Sequence, residues 1–122
     1  MFEVLLDDEH KKIRDEIRKF VRDEIEPELI IKMDSYEEEY PYEFIKKASK
    51  RNLLGLRFPK EYGGRGLKWT HEILAIEEIG VLGIALACAY SLPSICGEAI
   101  DVFGTKEQKE KYLKPTLKGE LI

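Results

Sequence analysis

The chain has 122 residues, 36% of them charged, and a formal net charge of -4; this fits one domain and gives no electrostatic reason to bind nucleic acid or an anionic membrane. A chain of this size buries roughly two-thirds of its unfolded surface, enough for one modest core. Cys88 and Cys96 lie in an apolar run with no CxxC pair or histidine cluster beside them, which excludes a zinc motif and predicts two buried, reduced thiols in an intracellular protein.

Met1 to Asp8 lacks the basic flank and long apolar core of a signal peptide. The first predicted helix runs from about Asp7 to Ile25. Ile13, Ile17, Phe20, Val21 and Ile25 recur at steps of three and four and form one stripe. Asp7 and Asp8 suit an N-cap and an acidic first turn, and Pro27 ends or kinks the helix. A looser segment is expected as far as Tyr40, with Glu37-Glu38-Glu39 as a solvated turn. Pro41 opens a short helix that carries Phe44, Ile45 and Ala48 and ends near Asn52.

From Leu53 to Gly66, Pro59 and four glycines demand loop geometry. Thr70 is the expected cap of a helix bearing Ile73, Leu74, Glu77 and Glu78. The stretch from Ile79 to Gly97 holds no charge and is long enough to span a bilayer. Its glycines, Pro93, Ser91, Ser94 and the acidic residues at both borders argue instead for a helix enclosed by other helices. That helix is expected either bent or in two pieces meeting at Pro93. Gly104 ends it, and Thr105 with Gln108 has capping-box spacing for a last helix whose buried side is Tyr112, Leu113 and Leu117. No repeat and no convincing strand is present. The expected fold is all-α, about five or six helices in a single domain over residues 1–122.

Chemistry-bearing patterns are sparse. Gly63-Gly64-Arg65-Gly66 lacks the Lys and hydroxyl residue of a P-loop and the preceding strand of a dinucleotide site, so it reads as a turn for close backbone packing. A di-iron site needs paired Glu-x-x-His motifs; Asp7-x-x-His10 is a weak analogue and His71 follows Lys68, so both histidines read as surface residues. No GxSxG elbow occurs. Glu98 and Asp101 interrupt an apolar region at helical spacing and are expected to face solvent. The residues alone predict a helical domain without a self-contained catalytic or metal site.

Three stretches, in order, resemble the N-terminal domain of acyl-CoA dehydrogenases. They are Leu6-Asp7-Asp8-Glu9-His10 leading to Pro27, then Asn52-Leu53-Leu54-Gly55-Leu56-Arg57-Phe58-Pro59-Lys60-Glu61-Tyr62-Gly63-Gly64-Arg65-Gly66-Leu67, and Phe103-Gly104-Thr105-Lys106-Glu107-Gln108-Lys109-Glu110-Lys111-Tyr112-Leu113. The resemblance implies a cytoplasmic flavoprotein that dehydrogenates acyl-CoA thioesters at the α,β-bond. A glutamate takes the α-proton, FAD takes the β-hydride, and an electron-transferring flavoprotein receives the electrons; a homo-oligomer is expected.

The flavin-binding β-domain, the C-terminal helical bundle and the catalytic base are not found in residues 1–122. The chain alone is therefore expected to hold no catalytic residue, bind no FAD and be inactive. The resemblance places Tyr90, Ser91, Ser94, Ile95 and Glu98 at or beside one wall of the acyl pocket, with Leu92 where relatives often carry histidine. Alternatives are a related acyl-CoA oxidase or flavin monooxygenase, which share the architecture, and a stand-alone helical interaction module.

Overall fold

The computed structural model describes residues 3–121; Met1, Phe2 and Ile122, which bear on the signal-peptide reading and the C-terminal boundary, lie outside the described residues. Among the described residues there are six helices and no strand. Helix α1 (Asp8–Glu24) is capped by Asp7, whose carboxylate accepts the His10 N–H at 2.9 Å. Ile13, Ile17 and Phe20 are its buried residues, as the periodicity predicts. Pro27 does not leave a loose segment behind it. It occupies the first position of α2 (Pro27–Asp34), where its missing N–H costs no helical bond.

Helix α3 (Tyr42–Lys50) buries Phe44, Ile45 and Ala48. It closes where Asn52 turns left-handed at φ 53°, with Asn52 N–H bonded to Ser49 O and Leu53 N–H to Ala48 O, both at 2.9 Å. That pair of bonds is a Schellman closure with Asn in the position glycine usually takes. The loop that follows is buried: Leu53, Leu54, Leu56 and Phe58 are all inaccessible to solvent. At Gly64 a Cβ would lie 2.1 Å from the Phe58 carbonyl oxygen, so only glycine permits this approach.

Helix α4 (Trp69–Gly80) starts one residue before the expected cap. Thr70 lies inside it, and the start is closed by the Lys68 N–H donating to His71 Nδ1 at 3.2 Å. The uncharged stretch is not one helix. It breaks at Val81-Leu82-Gly83, where Gly83 has φ 150°, and α5 (Ile84–Phe103) then runs unbroken through Pro93. By length and composition α5 would span a bilayer, but it contains Glu98 and Asp101, and one flank packs on the core.

The last helix, α6 (106–117), begins with the predicted box, Thr105 N–H to Gln108 at 2.8 Å and Gln108 N–H to Thr105 at 3.2 Å. Its middle, Lys109–Leu113, is a π turn before Pro115. The wider turn accommodates a residue that lacks an N–H and whose ring crowds the preceding turn. Leu113 and Leu117 are buried, but Tyr112 is 40% exposed and does not belong to the inner side.

The main core joins α1, α3, α4, α5 and the buried loop; a satellite of Phe58, Tyr62, Leu113 and Leu117 ties α6 to that loop. Gly97 lets α5 approach both, since a Cβ there would meet Phe58 and Leu113 at 3.0 Å.

Candidate functional site

Helix α5 is apolar on two sides. Leu86, Ala89, Tyr90, Pro93, Ser94 and Gly97 face the core. On the opposite side Cys88, Leu92, Ile95, Ala99 and Phe103 recur at steps of three and four, and all are exposed, Ile95 by 62% and Phe103 by 86%. The helix is therefore covered on one flank only, not enclosed, and both cysteines are exposed rather than buried. A continuous exposed apolar stripe marks a surface built to be covered. Beside it Leu92, Pro93 and Cys96 join Tyr40, Thr116 and Leu121 in a groove of about 370 Å³.

The five sequence-indicated residues divide between these sides. Ile95 stands on the outer stripe. Ser91 is half-buried on its border, its hydroxyl donating to the Cys88 carbonyl at 3.0 Å. Ser94 is buried, and Glu98 flanks the stripe one turn beyond Ser94 and Ile95. Tyr90 points the other way: its side chain is in the core and its hydroxyl donates to the Leu53 carbonyl. Burial pushes that phenol far above its ordinary value of 10.0, so it stays a neutral donor.

Arg57 is the residue that sequence reasoning missed. Its side chain is 7% exposed, and its guanidinium lies 3.6 Å over the Trp69 ring and 4.3 Å over Phe58. It pairs with the Glu98 carboxylate, donates to the Ser94 carbonyl at 3.2 Å, and faces the buried Glu72 carboxylate at 3.5 Å. One arginine therefore ties the loop and α4 to the border of the α5 stripe. Glu98 does not simply face solvent, and Asp101 is paired with Lys109 at 3.4 Å. The available signal was a lone arginine inside Leu54-Gly55-Leu56-Arg57-Phe58-Pro59, since a charge in an apolar run needs a buried partner.

His71 is buried, 1% exposed, and not a surface residue. Its ring stacks on His10 at 3.9 Å between centroids with planes 6° apart. Asp7, His10 and His71 bring ligand-type atoms within 4.8 Å of one another. As built, this cluster does not offer a metal the lone pairs it needs. His71 Nδ1 already accepts the Lys68 N–H, so in the neutral ring the proton is on Nε2, and that nitrogen has no lone pair to donate.

The glycine turn likewise offers no phosphate cradle. The N–H groups of Gly63, Gly64, Arg65 and Gly66 are all taken, by the carbonyls of Lys60, Pro59, Leu56 and Phe58 at 2.8–3.1 Å. Neither the pyrophosphate of a dinucleotide nor any other anion finds free donors there.

An all-helical domain with an unpaired apolar helix face is the class these features define among the described residues. The pattern of the acyl-CoA dehydrogenase N-terminal domain matches residues 7–120. The chain belongs to the acyl-CoA dehydrogenase family. It is 37% identical over 118 residues to the short-chain specific acyl-CoA dehydrogenase of Clostridium acetobutylicum, covering 93% of this chain and 30% of that enzyme.

Among solved structures it superposes on a chain reported for the electron transferring flavoprotein of Acidaminococcus fermentans. The TM-score is 0.84 and the identity 30%, covering 98% of this chain and 31% of the other. On the acyl-CoA dehydrogenase of Bacillus anthracis complexed with FAD the TM-score is 0.79 and the identity 31%, covering 98% and 20%. The chain thus spans about 30% of the length of the curated relative it matches.

Proposed function

We propose that this chain is the N-terminal part of a flavin-dependent acyl-CoA dehydrogenase in which the outer side of α5 forms one wall of the acyl-chain pocket. The observation that carries the reading is the exposed stripe of Leu92, Ile95, Ala99 and Phe103 on a helix whose other side already fills the core. A pocket for an aliphatic chain needs a mainly apolar lining with few polar groups. In this reading Ile95 touches the chain, Ser91 and Glu98 border it, Ser94 supports the wall from within, and Tyr90 anchors α5 to the loop at Leu53.

Neither Glu98 nor Glu72 is free to act as a catalytic base. Glu98 is held by Arg57 and Glu72 is buried against the same guanidinium. The glycine turn does not fit a flavin phosphate either, and in this proposal other polypeptide of the complete enzyme grips FAD. An electron-transferring flavoprotein as acceptor, a homo-oligomeric assembly and a cytoplasmic location belong to the same proposal.

A domain exchange tests it. Residues 3–121 replace the corresponding segment of the Clostridium acetobutylicum enzyme, and turnover is followed with acyl-CoA thioesters and a dye acceptor. The chimera is expected to retain flavin and oxidise the thioester, and Ile95→Asp within it is expected to raise KM at least tenfold. A charged wall in an apolar tunnel loses about 1.4 kcal/mol or more of binding per tenfold. Wild-type KM in the Ile95→Asp chimera would remove α5 from the pocket. Flavin copurifying with the 122-residue chain alone would refute the division between this domain and its cofactor site.

A further inference from the structure

We infer that His10 and His71 form a proton-operated clamp between the start of α1 and the first turn of α4, one that regulates the α5 wall. Only the consequence at the wall rests on the function proposed above; the clamp stands on its own geometry. The Lys68 N–H donates to His71 Nδ1 at 3.2 Å, and no side chain of residue 68 itself caps the helix. The ring of His71 is therefore the closure of α4. Its Nε2 carries the proton, is buried without a hydrogen-bond partner, and lies 3.4 Å from the Glu9 carboxylate.

Across the stack, His10 Nδ1 donates to Asp7 at 2.7 Å, and its Nε2 meets the Thr70 hydroxyl at 2.8 Å. The charged groups around the pair are Asp7 at the cap of α1, Glu9 and Arg14 on α1, Lys68 at the start of α4, and Glu77 and Glu78 further along α4.

A second proton on His71 has one place to go, Nδ1, which points at the Lys68 N–H. Donor then faces donor, the closure of α4 is lost, and a charge is buried against the His10 ring. Burial and the neighbouring His10 hold the His71 pKa below its ordinary value of 6.5. An unfolded chain takes up this proton near 6.5 while the folded one refuses it. The clamp is therefore fully effective above that pH and weakens as the pH falls below it.

The turn that His71 closes also carries Trp69 and Glu72, which hold Arg57, and Arg57 holds Ser94 and Glu98. Opening the turn loosens that grip on the wall.

Trp69 is the single tryptophan of the chain, so its fluorescence reports on this turn directly. The 122-residue chain is titrated from about pH 7.5 to about pH 5, across the range in which histidine changes charge. The wild type is expected to show a sigmoidal change in emission with its midpoint below 6.5. In His71→Gln the amide oxygen accepts the Lys68 N–H but does not titrate, as in an ordinary capping box, and the transition is expected to vanish. His10→Gln, which removes the neighbour that helps hold the His71 pKa down, is expected to move the midpoint upward.

Nitrogen NMR of the wild type at neutral pH is expected to show His71 protonated on Nε2, a readout that holds even if a variant fails to fold. A flat wild-type trace, a transition surviving in His71→Gln, or a proton on Nδ1 at neutral pH would overturn the clamp. None of these readouts involves flavin or acyl-CoA, so a failed domain exchange with an intact transition would remove the wall reading alone.

Discussion

Replacing Arg57 by Met removes a charge while keeping an apolar side chain to fill much of the space beside Trp69 and Phe58. The Glu72 side chain is 1% exposed, and Arg57 is the cation facing it. Taking away one partner of a buried pair leaves the other without compensation, at a cost of about 3–5 kcal/mol. Loss of the cation–π contacts adds roughly 0.5–2 kcal/mol, part of which Met packing offsets. With a urea m-value of about 1.5 kcal/mol/M for a domain of this size, the midpoint falls by about 2–3 M.

The double variant Arg57→Met, Glu72→Gln carries no unpaired buried charge and is expected to recover at least about 2 kcal/mol, a coupling typical of residues in one network. Glu98→Gln is expected to cost less than about 1 kcal/mol, because Arg57 keeps Glu72 as its counter-charge and the partner lost is 39% exposed. Urea unfolding followed by circular dichroism and by Trp69 fluorescence measures all three, and the Glu72→Gln single variant completes the cycle. An Arg57→Met cost below about 1 kcal/mol, or a coupling to Glu72 below about 0.5 kcal/mol, would refute the network as the tie between loop, α4 and α5.

Three further outcomes are expected. Gly64→Ala places a Cβ 2.1 Å from the Phe58 carbonyl oxygen and is expected to cost about 3 kcal/mol, whereas Gly80→Ala meets Ala87 at an ordinary 3.5 Å and is expected to be neutral or stabilising by about 0.5 kcal/mol; equal thermal midpoints would contradict this. Tyr90→Phe leaves the Leu53 carbonyl without its donor and is expected to cost about 1–3 kcal/mol by urea unfolding, with no effect on substrate KM in the domain exchange. Asp7 is held at about 2, below its ordinary 3.8, chiefly because it accepts the His10 N–H. Its cap on α1 is therefore complete above 3.8 and lost as the pH falls through about 2; a His10 amide shift titrating near 3.8 would contradict the capping role.

Much of this protein is written in local pattern. The stripe of Ile13, Ile17 and Phe20, the caps at Asp7 and Thr105, the stop at Asn52 and the glycine turn at Gly63 to Gly66 depend on neighbours within a few residues, so spacing alone determines them. The ordered motifs likewise carried the family.

What the sequence left open was which sides are covered. Helix α5 is apolar around most of its circumference, so its periodicity does not separate the core side, with Tyr90 and Gly97, from the outer side, with Leu92, Ile95 and the two cysteines. His71 looked like a surface histidine because nothing near it in the chain announces the ring of His10. Arg57 meets Glu98 across 41 positions of sequence, a pairing that no local spacing encodes. Burial and ion pairing are properties of two elements meeting. Only the packing of α1 on α4, and of the loop against α4 and α5, brings those side chains together.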